Sequence, residues 1–263
     1  MASPPSLVIT MDFYKDYTST QALGGQDERV QLRVAADNTR ANLVPLLPSD
    51  RNAKIVDVAC GYGRYLKALR DLGYTDTLGI DLSAEQIAFA RDRLGLAYAS
   101  QGDGLVHLQT HPAEYDAILL LDILEHLPAE TTIDWLKAAH AALRPGGVVL
   151  VQVPNGMTPF SVHFHGDLTH KRAYSAPMLA QSFRLAGLES FSIHASFDAP
   201  TRLVGILRHV LWRWALNPLL GFLTKCAYGT SAGGIFTANL LAQAKNDRVE
   251  LGLGSLKPPI SIS

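Results

Sequence analysis

From residue 55 onward, short β-branched or apolar runs alternate with segments whose apolar residues recur at helical spacing. No other feature restricts the fold as much. Strands are expected at 55–59, 77–80, 96–99, 117–121, 148–153, 191–197 and 235–244, the third being the weakest. Between them, Tyr65, Leu66, Leu69 and Leu72 trace one helical face, as do Ile87, Ala90 and Leu94, then Ile133, Leu136, His140 and Leu143. A helix at 178–185 is closed by Gly187, and Pro145-Gly146-Gly147 reads as a turn. Strands that alternate with helices need right-handed crossovers, which place helices on both faces of a parallel sheet. The expected fold is α/β: a doubly wound, mostly parallel seven-stranded sheet with a helical insertion at about 198–234, before the last strand. A helix at 29–47, ended by Pro48, divides an N-terminal segment (1–48) from the main domain (49–263).

In such a sheet, ligands bind beyond the carboxyl ends of the strands. Here the first strand runs into Asp57-Val58-Ala59-Cys60-Gly61-Tyr62-Gly63, and a helix starts at once. Glycines permit a tight turn and let a ligand lie against bare backbone. The second strand ends in Gly79-Ile80-Asp81, about 20 residues beyond the turn, where a carboxylate can accept both hydroxyls of a ribose. Asp81 could also simply cap the next helix, as could Ser83. Together the two features favour an adenosine-containing ligand. A dinucleotide fingerprint wants a third glycine, and Leu66 occupies that position, so NAD is the least favoured reading.

These residues belong to a larger set. VDVACGYG, GIDLS (79–83), GDG (102–104), YDAILLLDILEHL (115–127) and PGGVVLVQVPN (145–155) follow in order over most of residues 50–195. The set resembles the class I S-adenosylmethionine-dependent methyltransferases. The resemblance implies an enzyme that binds S-adenosylmethionine and releases S-adenosylhomocysteine. It implies that Asp57, Ala59, Cys60, Gly61 and Gly63 form the turn beneath the methionine portion, with Asp57 orienting that turn or meeting the amino group. Asp81 would hold the ribose and Leu82 pack on the adenine. Gly102, Asp103 and Gly104 would lie near the adenine, with Asp103 accepting from its amino group, and Leu121 and Asp122 would line the floor. Ala59 stands where the family usually has glycine, a change expected to do little harm because alanine is small. Tyr14 and Tyr17 either close over the sulfonium, where a π-face favours a cation, or merely pack the N-terminal segment.

Methyl transfer needs alignment of the acceptor and exclusion of water, and a hydroxyl acceptor also profits from a general base. The segment after the fifth strand holds His163, His165, Asp167 and His170, unusually dense in imidazole and carboxylate. A His–Asp pair could serve as base, with His170 or His165 taking the proton and Asp167 orienting it. Two histidines and a carboxylate could instead hold a divalent ion. Asp167 and Thr169 could also just cap backbone groups. The catalytic reading is carried forward and no metal is assigned. His126 lies just past the fourth strand and ranks behind the later loop. GDLTH (166–170) is similar to a segment of bacterial methyltransferases of polysaccharide and other glycan biosynthesis, although Lys171 stands where an acidic residue commonly follows.

Composition limits the partners. A formal charge of -1 gives no bulk attraction to nucleic acid. Two distant cysteines fit neither a disulfide framework nor a metal pattern, and no signal peptide or long apolar run is read, so a cytoplasmic protein is expected. Residues 202–229 are apolar but carry Arg202, Arg208, Arg213 and Lys225. A helical subdomain that covers the acceptor pocket or makes a homodimer is favoured there over a peripheral membrane contact. The expected reaction is O-methylation of a sugar hydroxyl in a small-molecule or glycan acceptor. The alternatives are methylation of a phenolic, quinone-like or carboxylate metabolite, and a non-catalytic scaffold on the same fold.

Overall fold

The structure is a computed structural model and describes residues 27–197, 203–231 and 233–247. Its central strands read as unbroken apolar runs because both of their faces are covered. β1 (Ile55–Val58) is buried throughout, β4 (Tyr115–Leu121) nearly so, and β5 (Leu143–Pro154) from Val148 onward. With β2 (Thr77–Asp81), β3 (Ala99–Gln101), β6 (Ser190–Ser196) and β7 (Asn239–Lys245) they form one seven-stranded sheet, ordered β3-β2-β1-β4-β5-β7-β6. β1 to β5 run parallel, and β7 lies antiparallel between β5 and β6. One face packs Val56, Val58, Ile118, Leu120, Leu136 and Phe183, and the other Ile55, Leu69, Leu119, Leu121 and Leu150. The expected doubly wound sheet is present, and strand order reverses between β1 and β4.

The helices follow the expected periodicities: α2 (Arg64–Asp71), α3 (Ala84–Leu94), α5 (Ala129–Ala142) and α7 (Ala176–Leu185). They are punctuated by α1 (Glu28–Asn38), α4 (Gly104–Thr110) and the single-turn α6 (Val162–His165). Several boundaries moved for local reasons. The segment expected as one helix at 29–47 is α1, then a π-helical turn at Thr39–Leu43 and a 3-10 turn at Val44–Leu46 that carries Pro45. β3 starts at Ala99 rather than residue 96, because Gly95 caps α3 with φ 68 and Leu96 is spent as a core side chain. Helix α4 follows directly on GDG and had no apolar period to announce it. The Pro145-Gly146-Gly147 stretch is an irregularity within β5, not a separate turn, with Pro145 and Gly146 exposed, Gly147 buried and Gly146 at φ 78.

Residues 235–238, expected as strand, form a loop before β7. Asn155, buried at the end of β5, donates from Nδ2 to the carbonyls of Ile235 and Thr237, both at 2.9 Å. Its Oδ1 accepts from Met157 N at 2.9 Å. Backbone groups tied to a side chain in this way are withdrawn from a strand ladder.

Between β6 and β7 lie α8 (Leu203–Leu211), a π-helical turn (Trp212–Leu216) and α9 (Asn217–Tyr228). They bury no residue, and Leu207, Trp214 and Phe222 are 61%, 74% and 63% exposed. No helix among the described residues is long and apolar enough to cross a membrane.

Ala59 adopts φ 68, so the cost of lacking glycine there is conformational rather than one of size. Ala59→Gly is therefore expected to stabilise the protein by up to about 1 kcal/mol, since relief of the left-handed strain is partly offset by the freedom glycine adds to the unfolded chain. Asn155→Ala should cost about 2 kcal/mol by leaving buried carbonyls without donors. Urea denaturation checks both, and equal midpoints for Asn155→Ala and the native protein would refute the role given to Asn155.

Candidate active site and cofactor cavity

Beyond the carboxyl ends of β1, β2 and β4 opens a cavity of about 790 Å³. Its first wall is the turn after β1. Gly61 and Gly63 have φ 57 and 84, and a Cβ on Gly63 would stand 2.5 Å from Leu96 Cδ1. Asp81 fastens this turn: Oδ2 accepts from Gly61 N at 2.8 Å, and Oδ1 from Ser83 N at 2.8 Å. Both expected uses of Asp81 are thus compatible, since it braces two turns and still borders the cavity. The close approach that a third glycine would allow is met from the sheet instead, because a Cβ on Gly79 would collide with Leu66 and Cys60.

Asp57 is the site's electrostatic anomaly. It is 1% exposed, and neither carboxylate oxygen has a hydrogen-bond partner. Burial, reinforced by Asp81 and Asp122 and opposed by Arg64, pushes its pKa up to about 8. A buried carboxyl without partners is costly unless a donor or cation reaches it. Together with a bare-backbone turn and a second carboxylate across the cavity, it fits the ammonium, thioether and ribose of S-adenosylmethionine. Burial also raises Asp81, against the pull of its two backbone donors.

The floor is a network that sequence reasoning only half found. Asp122 sits at φ 56 and accepts from Arg64 at 3.0 Å and from Gln152 Nε2 at 3.0 Å, while Gln152 Nε2 also donates to Tyr65 Oη at 3.2 Å. Non-glycine residues in this region of φ are strained and cluster at functional sites. Gln152 was visible as the one polar residue within a run of valines and leucine, and Arg64 and Tyr65 follow directly on the glycine turn.

Other expectations fall as follows. Ala59, Cys60, Leu82, Gly104 and Leu121 border the cavity with Asp57, Gly61, Asp81 and Asp122. Gly63 shapes the turn from behind. Gly102 and Asp103 do not line the cavity. Asp103 caps α4, its Oδ1 accepting from Leu105 N at 2.8 Å and Val106 N at 3.1 Å, so that oxygen is committed to the helix. Tyr14 and Tyr17 lie outside the described residues. None of residues 203–228 lines the cavity, so α8 and α9 do not form its cover.

The histidine-rich loop is rearranged relative to expectation. His165 is exposed on α6 and stacks only on Phe164, and His163 Nδ1 meets Asn239 Oδ1 at 3.1 Å, which separates both from His170. The structure brings Asp167 and His170 together, His170 Nε2 lying 3.9 Å from Asp167 Oδ2, while His170 Nδ1 donates to Phe164 O at 2.9 Å. Asp167 Oδ1 also accepts from Thr169 N and Thr169 Oγ1, at 2.8 and 2.6 Å. Of the four histidines and aspartates singled out for chemistry, only His126 lines the cavity, joined there by Lys171, which sequence reasoning treated only as a departure from pattern. Burial, with His170 adjacent, pushes His126 down to about 4. The loop is clamped to the turn after β4, since Lys171 N and Arg172 N donate to Glu125 O at 2.8 and 3.2 Å.

The methyltransferase domain family matches residues 27–209. A ubiquinone biosynthesis O-methyltransferase of Hydrogenovibrio crunogenus is 32% identical over 123 residues, covering 44% of this chain and 48% of that protein. A trans-aconitate 2-methyltransferase of Azoarcus sp. is 31% identical over 131 residues, covering 49% of this chain and 50% of that protein. The chain thus spans about half the length of these curated relatives. Among solved structures, an S-adenosylmethionine-dependent methyltransferase from Archaeoglobus fulgidus superposes with a TM-score of 0.60 at 18% identity, covering 81% of this chain and 94% of that one. None of these relatives carries the expected tie to glycan biosynthesis, which rested on five residues, GDLTH, of which Asp167 and Thr169 bond to each other within the loop. With its sheet order, glycine turn and matched span, the chain belongs to the methyltransferase domain family and has the fold of the class I enzymes that use S-adenosylmethionine.

Proposed function

We propose that the protein transfers a methyl group from S-adenosylmethionine to an oxygen of a small phenolic, quinone-like or carboxylate metabolite. The observation that carries this reading is one cavity lined both by an unpartnered buried carboxylate, Asp57, beside the glycine turn and by His126 and Lys171. The cofactor supplies a methyl carbon already activated by positive sulfur. Asp57 would meet its amino group, Asp81 its ribose hydroxyls, and Leu82 the adenine. The Asp122–Arg64–Gln152 network holds the floor rigid, so that the acceptor is aligned rather than sampled.

Beside the acceptor, His126 is uncharged at neutral pH, while the Lys171 ammonium supplies positive charge for an acceptor oxygen that becomes anionic. An anionic phenolate or carboxylate suits that cation better than a neutral sugar hydroxyl does, and the ubiquinone and trans-aconitate methyltransferases among the relatives point the same way. For these two reasons the sugar-hydroxyl acceptor is set second.

Titration calorimetry with S-adenosylmethionine and S-adenosylhomocysteine, followed by labelled-methyl transfer to catechols, carboxylates and sugar nucleotides, tests the reading. Both cofactor forms should bind and Asp81→Ala should weaken them by at least about tenfold. Lys171→Ala should leave cofactor affinity intact and raise KM for the acceptor. Transfer to sugar nucleotides alone would restore the original acceptor class, and no binding of either cofactor form by folded protein would end the proposal.

Asp57 gives a pH signature without cofactor. Its folded pKa, about 8, lies above that of an unfolded aspartate, so its stabilising protonated state is held below pH 4 and lost progressively as pH rises to about 8. Asp57→Asn removes this loss. The melting temperature of the variant relative to the native protein should climb from pH 5 to pH 8, whereas its affinity for S-adenosylmethionine falls. A pH-independent difference in melting temperature would show that Asp57 is not buried as described.

A further inference from the structure

We propose that Glu125, His126 and His170 form a binding site for a first-row divalent metal ion against the acceptor end of the cavity. A carboxylate oxygen of Glu125 and one ring nitrogen from each histidine lie within 4.8 Å of one another. Glu125 is 1% exposed, and its Oε2 is buried with no hydrogen-bond partner. Ligands about 2.1 Å from an ion stand roughly 3–4 Å apart, so only a small contraction would close the set.

Each ring is held through its Nδ1 by the loop that covers the turn after β4. His170 Nδ1 lies 2.9 Å from the carbonyl of Phe164, which can only accept, so Nδ1 carries a proton and Nε2 is the nitrogen turned to the site. That Nε2 faces two further acceptors, Glu125 Oε1 and Asp167 Oδ2, each at 3.9 Å. His126 is held from the same loop: its Nδ1 lies 2.9 Å from Thr169 Oγ1, which in turn donates to Asp167 Oδ1 at 2.6 Å. Metal-binding histidines are held in the same manner, with the far nitrogen donating to a carbonyl or to a carboxylate relay. The buried Glu125 Oε2, which no donor reaches, is costly to keep unless a cation lies beside it.

Two imidazoles and one carboxylate suit zinc, manganese, iron or cobalt better than magnesium or calcium. An ion there adjoins the cavity through His126, the shared wall, and places positive charge where an acceptor oxygen develops negative charge. This use of the ion rests on the methyltransferase reading; the site itself does not. It differs from a cluster of loop histidines, since His163 and His165 take no part and Glu125 comes from the turn after β4.

The test is a titration of chelator-treated full-length protein with Co2+, without cofactor or acceptor, followed in the visible spectrum. One equivalent should bind and be displaced by Zn2+. Glu125→Gln and His170→Ala, shown to be folded by circular dichroism, should each weaken binding by at least about tenfold. Should either variant fail to fold, the native Co2+ protein decides, because two strongly shifted imidazole N–H resonances are expected in its proton NMR spectrum. Binding of less than half an equivalent, an unchanged Co2+ affinity in a folded variant, or the absence of shifted imidazole resonances would overturn the site. Adding S-adenosylhomocysteine separates the two ideas: Co2+ bound without S-adenosylhomocysteine leaves the metal site standing and removes the methyltransferase reading, and the reverse removes only the metal site.

Discussion

The bond from Gly61 N to the Asp81 carboxylate ties together everything that makes the cavity. It joins the ends of two neighbouring parallel strands, fixes the left-handed turn after β1, and with Ser83 sets the entry to α3. A parallel sheet leaves its strand ends open where order reverses, and this tie turns that opening into a defined wall. Its cost is concentrated at Asp57, which the same turn buries among carboxylates without a partner. Stability is given up at the position where a cationic ligand would restore it, as is common where a fold keeps strain for a site.

The second organising contact is the clamp of residues 169–172 on the turn after β4. Two backbone amides donate to Glu125 O, and Thr169 links Asp167 to His126. Segments far apart in sequence thereby share one corner, where a carboxylate oxygen of Glu125 and a ring nitrogen each of His126 and His170 lie within 4.8 Å of one another. That corner touches the cavity only through His126, so whatever it holds acts on an acceptor from behind a wall rather than from inside the pocket.

The exposed helices α8 and α9 stand apart from this machinery. Their role in the fold is topological: they carry the chain from the end of β6 back to the start of β7, which then inserts antiparallel beside β5. Their apolar side chains contribute little to the described core.

The amino-acid sequence by itself determined the sheet, its crossovers and the cofactor end, because those depend on period, on glycines at a strand end and on a carboxylate about 20 residues further on, all local signals. It also marked the helical insertion and the two central strands by their unbroken apolar runs. It could not decide which loop histidine faces the cavity, since spacing in an irregular segment says nothing about direction. His170 and Asp167 look paired in sequence and stand 3.9 Å apart in the fold, but each also has a closer partner, a carbonyl and a threonine, that spacing did not announce. Glu125 stood in plain view beside His126, but the isolation of its Oε2 arises only when β4's turn is covered by a segment more than forty residues away. Only the tertiary structure could decide this, because burial and the count of donors around an acceptor are properties of the packed chain and not of any stretch of it.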